Sequence, residues 1–246
     1  MSEISIELVP RNEHSLRREL ELVQSCFPAI ERINIPDILR FKLRSWDGCA
    51  IAGDYVSKTI PHLRAIDFDP DAPLAIGDRI TGQHVEAVLV ITGDLPQDMG
   101  HKTYRTSCLE MIRRLKREYP QLRVYAGMDP YRSGIKEEID YIRAKRDAGA
   151  EAFFTQPFFD LRLMEIYQGF LQGLTIYWGV SPVLTENSRN YWENKNNAVF
   201  PPDFVPTLDW NRRFAREALD FAQRHDGNIY FMPIRTDIGE YLQGIL

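Results

Sequence analysis

Cysteine is scarce in this sequence, and the three that are present show no shared pattern. Cys26, Cys49 and Cys108 are odd in number and have no C-x-x-C spacing. This excludes a disulfide framework and a cysteine zinc site. We expect reduced thiols, as in proteins of the cytoplasm.

Long apolar runs and an excess of basic charge are also absent. The apolar run that ends at Ile91 is far shorter than the roughly 20 residues of a membrane helix. The net charge is −5, and acidic and basic residues alternate along the chain, which argues against binding to nucleic acid or an anionic membrane. The first residues lack the basic and then apolar pattern of a secretory signal. We therefore predict a cytoplasmic protein.

Several common functional motifs are missing as well. The sequence contains no G-x-G-x-x-G, no P-loop, no G-x-S-x-G and no H-E-x-x-H. Its five histidines include no pair at i and i+4, so we expect no metal site on a helix. No serine or cysteine nucleophile is indicated.

The sequence does contain eight short β-rich runs that alternate with amphipathic helical stretches over its 246 residues. The predicted strands are Ser5–Val9, Arg32–Ile35, Leu63–Asp67, Ala87–Ile91, Arg123–Ala126, Ala152–Thr155, Thr175–Trp178 and Ile229–Met232. Eight alternations without a linker predict an α/β fold, a single (β/α)8 TIM barrel over residues 1–246. A doubly wound open sheet is the alternative.

Helical periodicity is clearest in two places. Ile135, Ile139 and Ile142 follow a Ser133 N-cap candidate and precede Gly149. A second apolar stripe, which we expect to be core, comprises Leu163, Ile166, Tyr167, Phe170 and Leu171. Residues 37–59 and 186–206 have no clear assignment, and loops of that length are usually functional.

Short motifs stand at or next to the predicted strands, most of them at the carboxyl ends where a barrel carries its chemistry. They are Ser5-Ile-Glu-Leu-Val-Pro10, Ile60-Pro-His-Leu63, Thr92-Gly-Asp-Leu-Pro96, Asp147-Ala-Gly-Ala150, Thr155-Gln-Pro-Phe-Phe-Asp160 and Trp178-Gly-Val-Ser-Pro182. In their order and type these pieces resemble the motifs of the methylenetetrahydrofolate reductase family. The most specific is the pair formed by the D-A-G-A and T-Q-x-F-F-D segments.

The resemblance implies a barrel that carries FAD and reduces 5,10-methylenetetrahydrofolate to 5-methyltetrahydrofolate with NAD(P)H. Glu7 would be the acid that protonates N10 of the folate, because burial favours a neutral carboxyl. Asp94 would lie near the flavin and support the cationic iminium. Gln156 would bind the pterin through an amide, which offers a donor and an acceptor together.

The resemblance also implies further contacts. Phe158 and Trp192 would complete the substrate site, with Trp192 on a mobile lid formed by residues 186–204. The expected flavin contacts are His62, Thr92, Asp94, Tyr104, Glu138 and Lys145. The sequence leaves open whether the chain forms a homo-oligomer.

Departures from the family pattern keep two alternatives open. Thr92 stands where an arginine often contacts the pyrophosphate, Pro36 replaces a threonine, and Gly127-Met128 replaces a tyrosine-proline pair. One alternative is a flavin-independent reductase that takes hydride directly from the nicotinamide. The other is a folate-binding methyltransferase component or partner subunit.

Overall fold

The computed structural model describes residues 2–96 and 100–246 and contains a closed barrel of eight parallel strands. The strands are β1 (Ile4–Glu7), β2 (Arg32–Ile35), β3 (Lys58–Arg64), β4 (Ala87–Ile91), β5 (Arg123–Met128), β6 (Ala152–Thr155), β7 (Ile176–Val180) and β8 (Asn228–Phe231). Each strand pairs with the next in sequence, and β1 pairs with β8 to close the barrel. The predicted (β/α)8 TIM barrel is confirmed.

Helices lie between the strands. They are α1 (Glu13–Cys26), α2 (Ser45–Ala52), α3 (Gly77–Ile80), α4 (Cys108–Glu118), α5 (Ile135–Ala148), α6 (Leu161–Phe170), α7 (Glu186–Asn196), α8 (Leu208–Arg224) and α9 (Ile238–Leu242), with a 3₁₀ turn at Ala65–Asp67. Side chains satisfy several helix starts: Ser107 and Glu110 form a capping box at α4, and Asp160 caps α6. Within the described ranges, no helix is long and apolar enough to cross a membrane.

The third strand starts earlier than predicted. The sequence predicts this strand at Leu63–Asp67. In the structure β3 begins at Lys58, and Pro61 pairs with Ile35 in the ladder. Burial of Ile60 and Leu63 on opposite faces keeps the segment extended. His62 therefore lies inside the strand.

Helix α5 ends as predicted and begins differently. Gly149 takes the left-handed conformation, with φ of 118°, that closes the last turn. The N-cap is Gly134, so the prediction for Ser133 was wrong. The predicted α6 stripe is also wrong in part, since Ile166 and Phe170 are 47% and 55% exposed.

The two unassigned stretches each contain a helix. Residues 37–59 include α2, which buries Trp46, Cys49 and Ala52. Residues 186–206 include α7, which ends at Asn197 in the left-handed conformation. α2 has only eight residues, most of them apolar, and α7 is almost entirely polar, so neither helix has an apolar period that can be read from sequence.

The interior of the barrel is filled by inward-facing side chains. This inner cluster comprises Ile60, Ala87, Leu89, Tyr125, Ala152, Phe154, Tyr177, Tyr230 and Met232. The rings of Phe154 and Tyr177 stack with centroids 4.1 Å apart. Because the middle is packed, ligands can reach only the two ends of the barrel.

Charged side chains close the end that carries the amino termini of the strands. Arg32 bonds Glu86 at 2.5 and 2.8 Å and lies 3.1 Å from Glu3. Arg123 contacts the same Glu86 at 3.3 Å, and the Tyr177 hydroxyl donates to Glu3. We call these five residues the basal network. In barrel proteins this face contributes to stability, whereas the opposite face carries the chemistry.

Candidate functional site

The carboxyl ends of the strands, with the loops that follow them, form the mouth of the barrel. Glu7 is the last residue of β1, and the alternation of a strand turns its side chain inward because Ile6 faces the helices. The hydroxyl of Tyr230 on β8 donates a hydrogen bond to Glu7 Oε2. The described residues give Glu7 Oε1 no hydrogen-bond partner.

The Glu7 carboxyl has the electrostatics of an acid that works near neutrality. Burial raises its pKa to about 7, and the hydrogen bond from Tyr230 opposes that rise. Burial also raises the pKa of the Tyr230 phenol, so this partner stays protonated and can only donate to a carboxylate. The side chain of Glu7 remains partly exposed, which lets a ligand reach it.

Asn34 and Tyr230 are site residues that sequence reasoning missed. Asn34 pairs with Glu7 in the β1–β2 register and is completely buried, and neither atom of its amide has a hydrogen-bond partner. Its amide nevertheless lies close enough to the Tyr230 hydroxyl to oppose, in small part, the rise that burial causes in the pKa of that phenol. Inward alternation along β2 and β8 was the available signal for both.

His62 lies on the inner face of β3 and is neutral. It is 6% exposed, and burial lowers its pKa to about 3. Its Nε2 atom has no hydrogen-bond partner, whereas its carbonyl accepts from Ser45 Oγ at 2.6 Å. A ligand that reached this imidazole would meet an uncharged ring.

The loop after β4 presents Asp94 to solvent. Gly93 has φ of +88°, and a Cβ there would lie 2.9 Å from Arg64 Cβ, so the turn requires glycine. Arg64 donates to the Asp94 carbonyl and thereby holds the main chain, while the carboxylate is exposed. Thr92 is also exposed, and its Oγ1 lies 3.3 Å from Cys108 Sγ.

A buried ion-pair network that the sequence did not predict supports this loop. Arg44 binds both Asp37 and Asp67, and Arg64 binds Asp67 at 3.1 Å. His101 lies 3.4 Å from the second oxygen of Asp67. These contacts connect the loops after β2, β3 and β4 on one side of the mouth.

Glu138 and Lys145, expected to contact a flavin, are bound within the fold. Glu138 is completely buried and accepts from the Asp129 amide at 3.1 Å and from Arg132. Lys145 donates to the Gly127 carbonyl at 2.5 Å. Burial raises the pKa of Glu138 and lowers that of Lys145. Both side chains tie α5 to the end of β5.

The remaining expected flavin contact is Tyr104, whose side chain is partly buried. Its backbone amide donates to the Ile66 carbonyl at 2.7 Å, and Lys102 Nζ lies 4.6 Å from its ring centroid. Since Glu138 and Lys145 have their polar atoms engaged inside the chain, the predicted set does not fit a tightly bound flavin.

The three expected substrate contacts occupy different environments. Gln156 follows β6 and is exposed, and its backbone amide donates to the Met128 carbonyl at 2.7 Å. Phe158 is fully buried between barrel and helices, against Tyr131 and Trp178. Trp192 packs in the core with its ring 5.5 Å from that of Phe159. Gln156 alone of the three presents its side chain to the mouth.

Close packing of β6, β7 and β8 fixes the wall beside Gln156. A Cβ on Gly179 would lie 2.5 Å from the Thr155 carbonyl oxygen and 2.7 Å from Met232. The Gly179 amide also donates to Thr155 Oγ1 at 2.8 Å.

We expect Gly179→Ala to lower the free energy of unfolding by about 1–3 kcal/mol, because backbone atoms on a neighbouring strand must shift. Urea denaturation measures this loss. Gly169→Ala is the control, since nothing lies within 4 Å of a Cβ at that position. Equal stability of Gly179→Ala and the parent protein would contradict the packing described here.

Open space is distributed unevenly around the barrel. Two grooves of about 590 and 580 Å³ share Leu161 and Glu217 and lie on the outer surface between α6 and α8. Beside Glu7 there is a cavity of about 10 Å³, lined in part by Val9 and Ile234, which suits a single water. A larger ligand at Glu7 would therefore approach through the exposed side of the mouth.

Comparisons with known proteins agree with this architecture. Among solved structures, an uncharacterized protein from Clostridium thermocellum that binds two copies of 5-methyl-5,6,7,8-tetrahydrofolic acid has a TM-score of 0.62 at 12% identity, covering 95% of this chain and 90% of that one. A 2,3-dimethylmalate lyase has a TM-score of 0.59 at 12% identity, covering 95% and 75%. An oxaloacetate acetylhydrolase with its product oxalate has 0.59 at 15%, covering 93% and 74%. At these identities the likeness shows the fold alone.

Family assignment comes from the sequence. No curated protein matches the chain. The family model described as methylenetetrahydrofolate reductase matches residues 49–186, more than half of the sequence. The matched segment contains His62, Asp94 and Gln156 and begins after Glu7. The chain therefore belongs to the methylenetetrahydrofolate reductase family.

Proposed function

We propose that this protein reduces 5,10-methylenetetrahydrofolate to 5-methyltetrahydrofolate, with Glu7 as the proton donor. The observation that carries the proposal is the inward-facing Glu7 carboxyl at the mouth, whose pKa lies at about 7. A general acid is most effective when its pKa is close to the operating pH. An ordinary exposed glutamate, ionised at neutrality, would have no proton to give.

The chemistry requires one proton and one hydride. Glu7 gives its proton to N10 of the folate, and the electron pair of the bond between N10 and the methylene carbon stays on N10. The five-membered ring opens and leaves a cationic iminium at N5. Hydride then adds to the methylene carbon and forms the methyl group. Glu7 ends as a carboxylate and is reprotonated from solvent.

In this proposal Asp94 stabilises the iminium and Gln156 binds the pterin. The exposed Asp94 carboxylate supports the positive charge that develops on the iminium. The exposed amide of Gln156 offers a donor and an acceptor to the pterin edge. Arg64, through its hydrogen bond to the Asp94 carbonyl, holds that loop while the substrate binds.

For the hydride donor we favour direct transfer from NAD(P)H over transfer through FAD. The internal bonds of Glu138 and Lys145 occupy two groups on which a tightly held flavin would depend. A reduced nicotinamide needs only access to the methylene carbon and shelter from water during transfer. Membership of the family and the folate ligand of the similar Clostridium thermocellum protein support folate as the substrate class.

An absorption spectrum combined with an activity assay tests this proposal. We expect a colourless purified protein that oxidises NADH or NADPH only when 5,10-methylenetetrahydrofolate is present, with no stimulation by added FAD. A yellow protein, or activity that depends on added FAD, would restore the flavin route. Binding of 5-methyltetrahydrofolate without any reductase activity would instead identify a folate-binding subunit and overturn the reductase proposal.

A further inference from the structure

The contact between Tyr230 and Glu7 gives the two oxygens of the carboxyl different surroundings. Tyr230 donates to Oε2, while the described residues offer Oε1 no partner. A carboxyl that is free at both oxygens can rotate and present either one. Here the rotation is restricted, so a proton on Oε1 has a defined direction.

Tyr230 is itself firmly held. It lies in the inner cluster, with its ring in edge contact with Phe154 at 5.1 Å between centroids. Its strand is bonded to β1, where Tyr230 pairs with Ser5, two residues before Glu7. A phenol fixed by packing keeps its hydroxyl in place at little further cost in conformational entropy.

Among residues 2–96 and 100–246, the polar groups that surround Glu7 on the neighbouring elements are either uncharged or paired with each other. Asn34 on β2 is uncharged, and His62 on β3 is neutral because burial lowers its pKa to about 3. Arg11 and Glu19 line the small cavity beside Glu7 and pair with each other at 3.0 Å. Ile238 of α9 completes that cavity with an apolar side chain.

We propose that Tyr230 is a positioning residue for the reaction: its hydroxyl holds Oε2 of Glu7, so that Oε1 carries the proton toward the folate. This inference rests on the proposed function. It also has a consequence for titration, because a donor that bonds the carboxylate stabilises the ionised form of Glu7. Removing the hydroxyl should therefore raise the pKa of Glu7.

Tyr230→Phe tests the proposal, with Tyr177→Phe as the matched control. Both changes delete one buried hydroxyl that donates to a glutamate, but Tyr177 bonds Glu3 in the basal network, at the opposite end of the barrel. For Tyr230→Phe we expect kcat to fall about tenfold with little change in KM. The alkaline limb of the pH profile should move up by about one to two pH units. Tyr177→Phe should leave the limb in place.

Infrared spectroscopy separates this inference from the proposed reaction. The protonated-carboxyl band that is lost in Glu7→Gln reports the titration of Glu7 without any substrate. A higher titration midpoint of Glu7 in Tyr230→Phe than in the parent supports the pairing, whether or not the protein has reductase activity. A lack of reductase activity would overturn the proposed function alone. An unchanged midpoint overturns the role of Tyr230, whatever the activity.

Discussion

Replacing Glu7 by glutamine is expected to slow the reduction of 5,10-methylenetetrahydrofolate by about 10²–10⁴-fold, the usual contribution of a general acid. Glutamine keeps the shape of the side chain and can still accept from Tyr230, yet it has no acidic proton for N10. Steady-state assays with the preferred nicotinamide measure the loss. In the parent protein activity should fall as pH rises through about 7, and Glu7→Gln should lack that limb.

Glu19→Gln is the control for this prediction, because Glu19 lines the same small cavity but pairs with Arg11. It should retain near-parental rates. A Glu7→Gln variant that reduces the substrate at the parental rate would remove Glu7 from the mechanism. Binding of 5-methyltetrahydrofolate, measured by calorimetry, should survive in both variants.

Although Glu7→Gln should slow the reaction, we expect it to stabilise the fold above neutral pH. Because the pKa of folded Glu7 is raised above its value in an unfolded chain, the fold is favoured at low pH. That advantage is lost as pH rises from about 4.5 through about 7. Glu7→Gln should therefore unfold at a higher temperature than the parent at pH 8, and the difference should shrink at pH 5.

Replacing Arg32 by methionine is expected to reduce the free energy of unfolding by about 3–5 kcal/mol, which is typical when one partner of a buried ion pair is removed. The Arg32 side chain is 3% exposed and Glu86 is 11% exposed, so the glutamate left behind stays out of water. Arg123 contacts Glu86 at 3.3 Å and should offset only part of the loss. Chemical denaturation of the two proteins gives the difference.

A double-mutant cycle sharpens this test. Arg32→Met combined with Glu86→Gln should recover much of the stability lost in Arg32→Met, because no buried charge remains unpaired. Folded Arg32→Met should keep parental kcat, since the basal network lies at the end of the barrel opposite Glu7. A fall in kcat without a fall in stability would show that the two ends are coupled.

The strands were largely predictable because parallel strands buried on both faces leave apolar runs of the right length. Glu7 was expected from the resemblance of the first strand to the family, and in the structure the alternation along β1 turns it inward at the mouth. The partner of that carboxyl could not be predicted, because Tyr230 comes from the strand that closes the barrel. Nothing local in the sequence shows which inner position of β8 meets which inner position of β1.

Expectations carried over from the family were less accurate for side chains whose orientation depends on how a loop folds. The resemblance implied that Glu138 and Lys145 contact a flavin, whereas in the structure their side chains bond Arg132 and the Gly127 carbonyl, partners that depend on how the loop after β5 folds. Phe158 stands three residues after the end of β6, and the turn between them directs its side chain under the helices and not into the mouth. An aromatic residue beside a strand end is compatible with either placement, so its type alone carries little information.

Closure of the barrel through β1 and β8 has a consequence for how the protein acquires its shape. Glu7 and Tyr230 lie 223 residues apart in sequence, so their contact is among the last that a growing polypeptide can make. Until β8 docks, the edges of β1 and β7 stay unpaired and are open to association with other chains. Pairings at such long sequence separation also slow folding. The acid and its phenol partner thus come together only in a chain whose barrel has closed, which links chemical competence to completed folding.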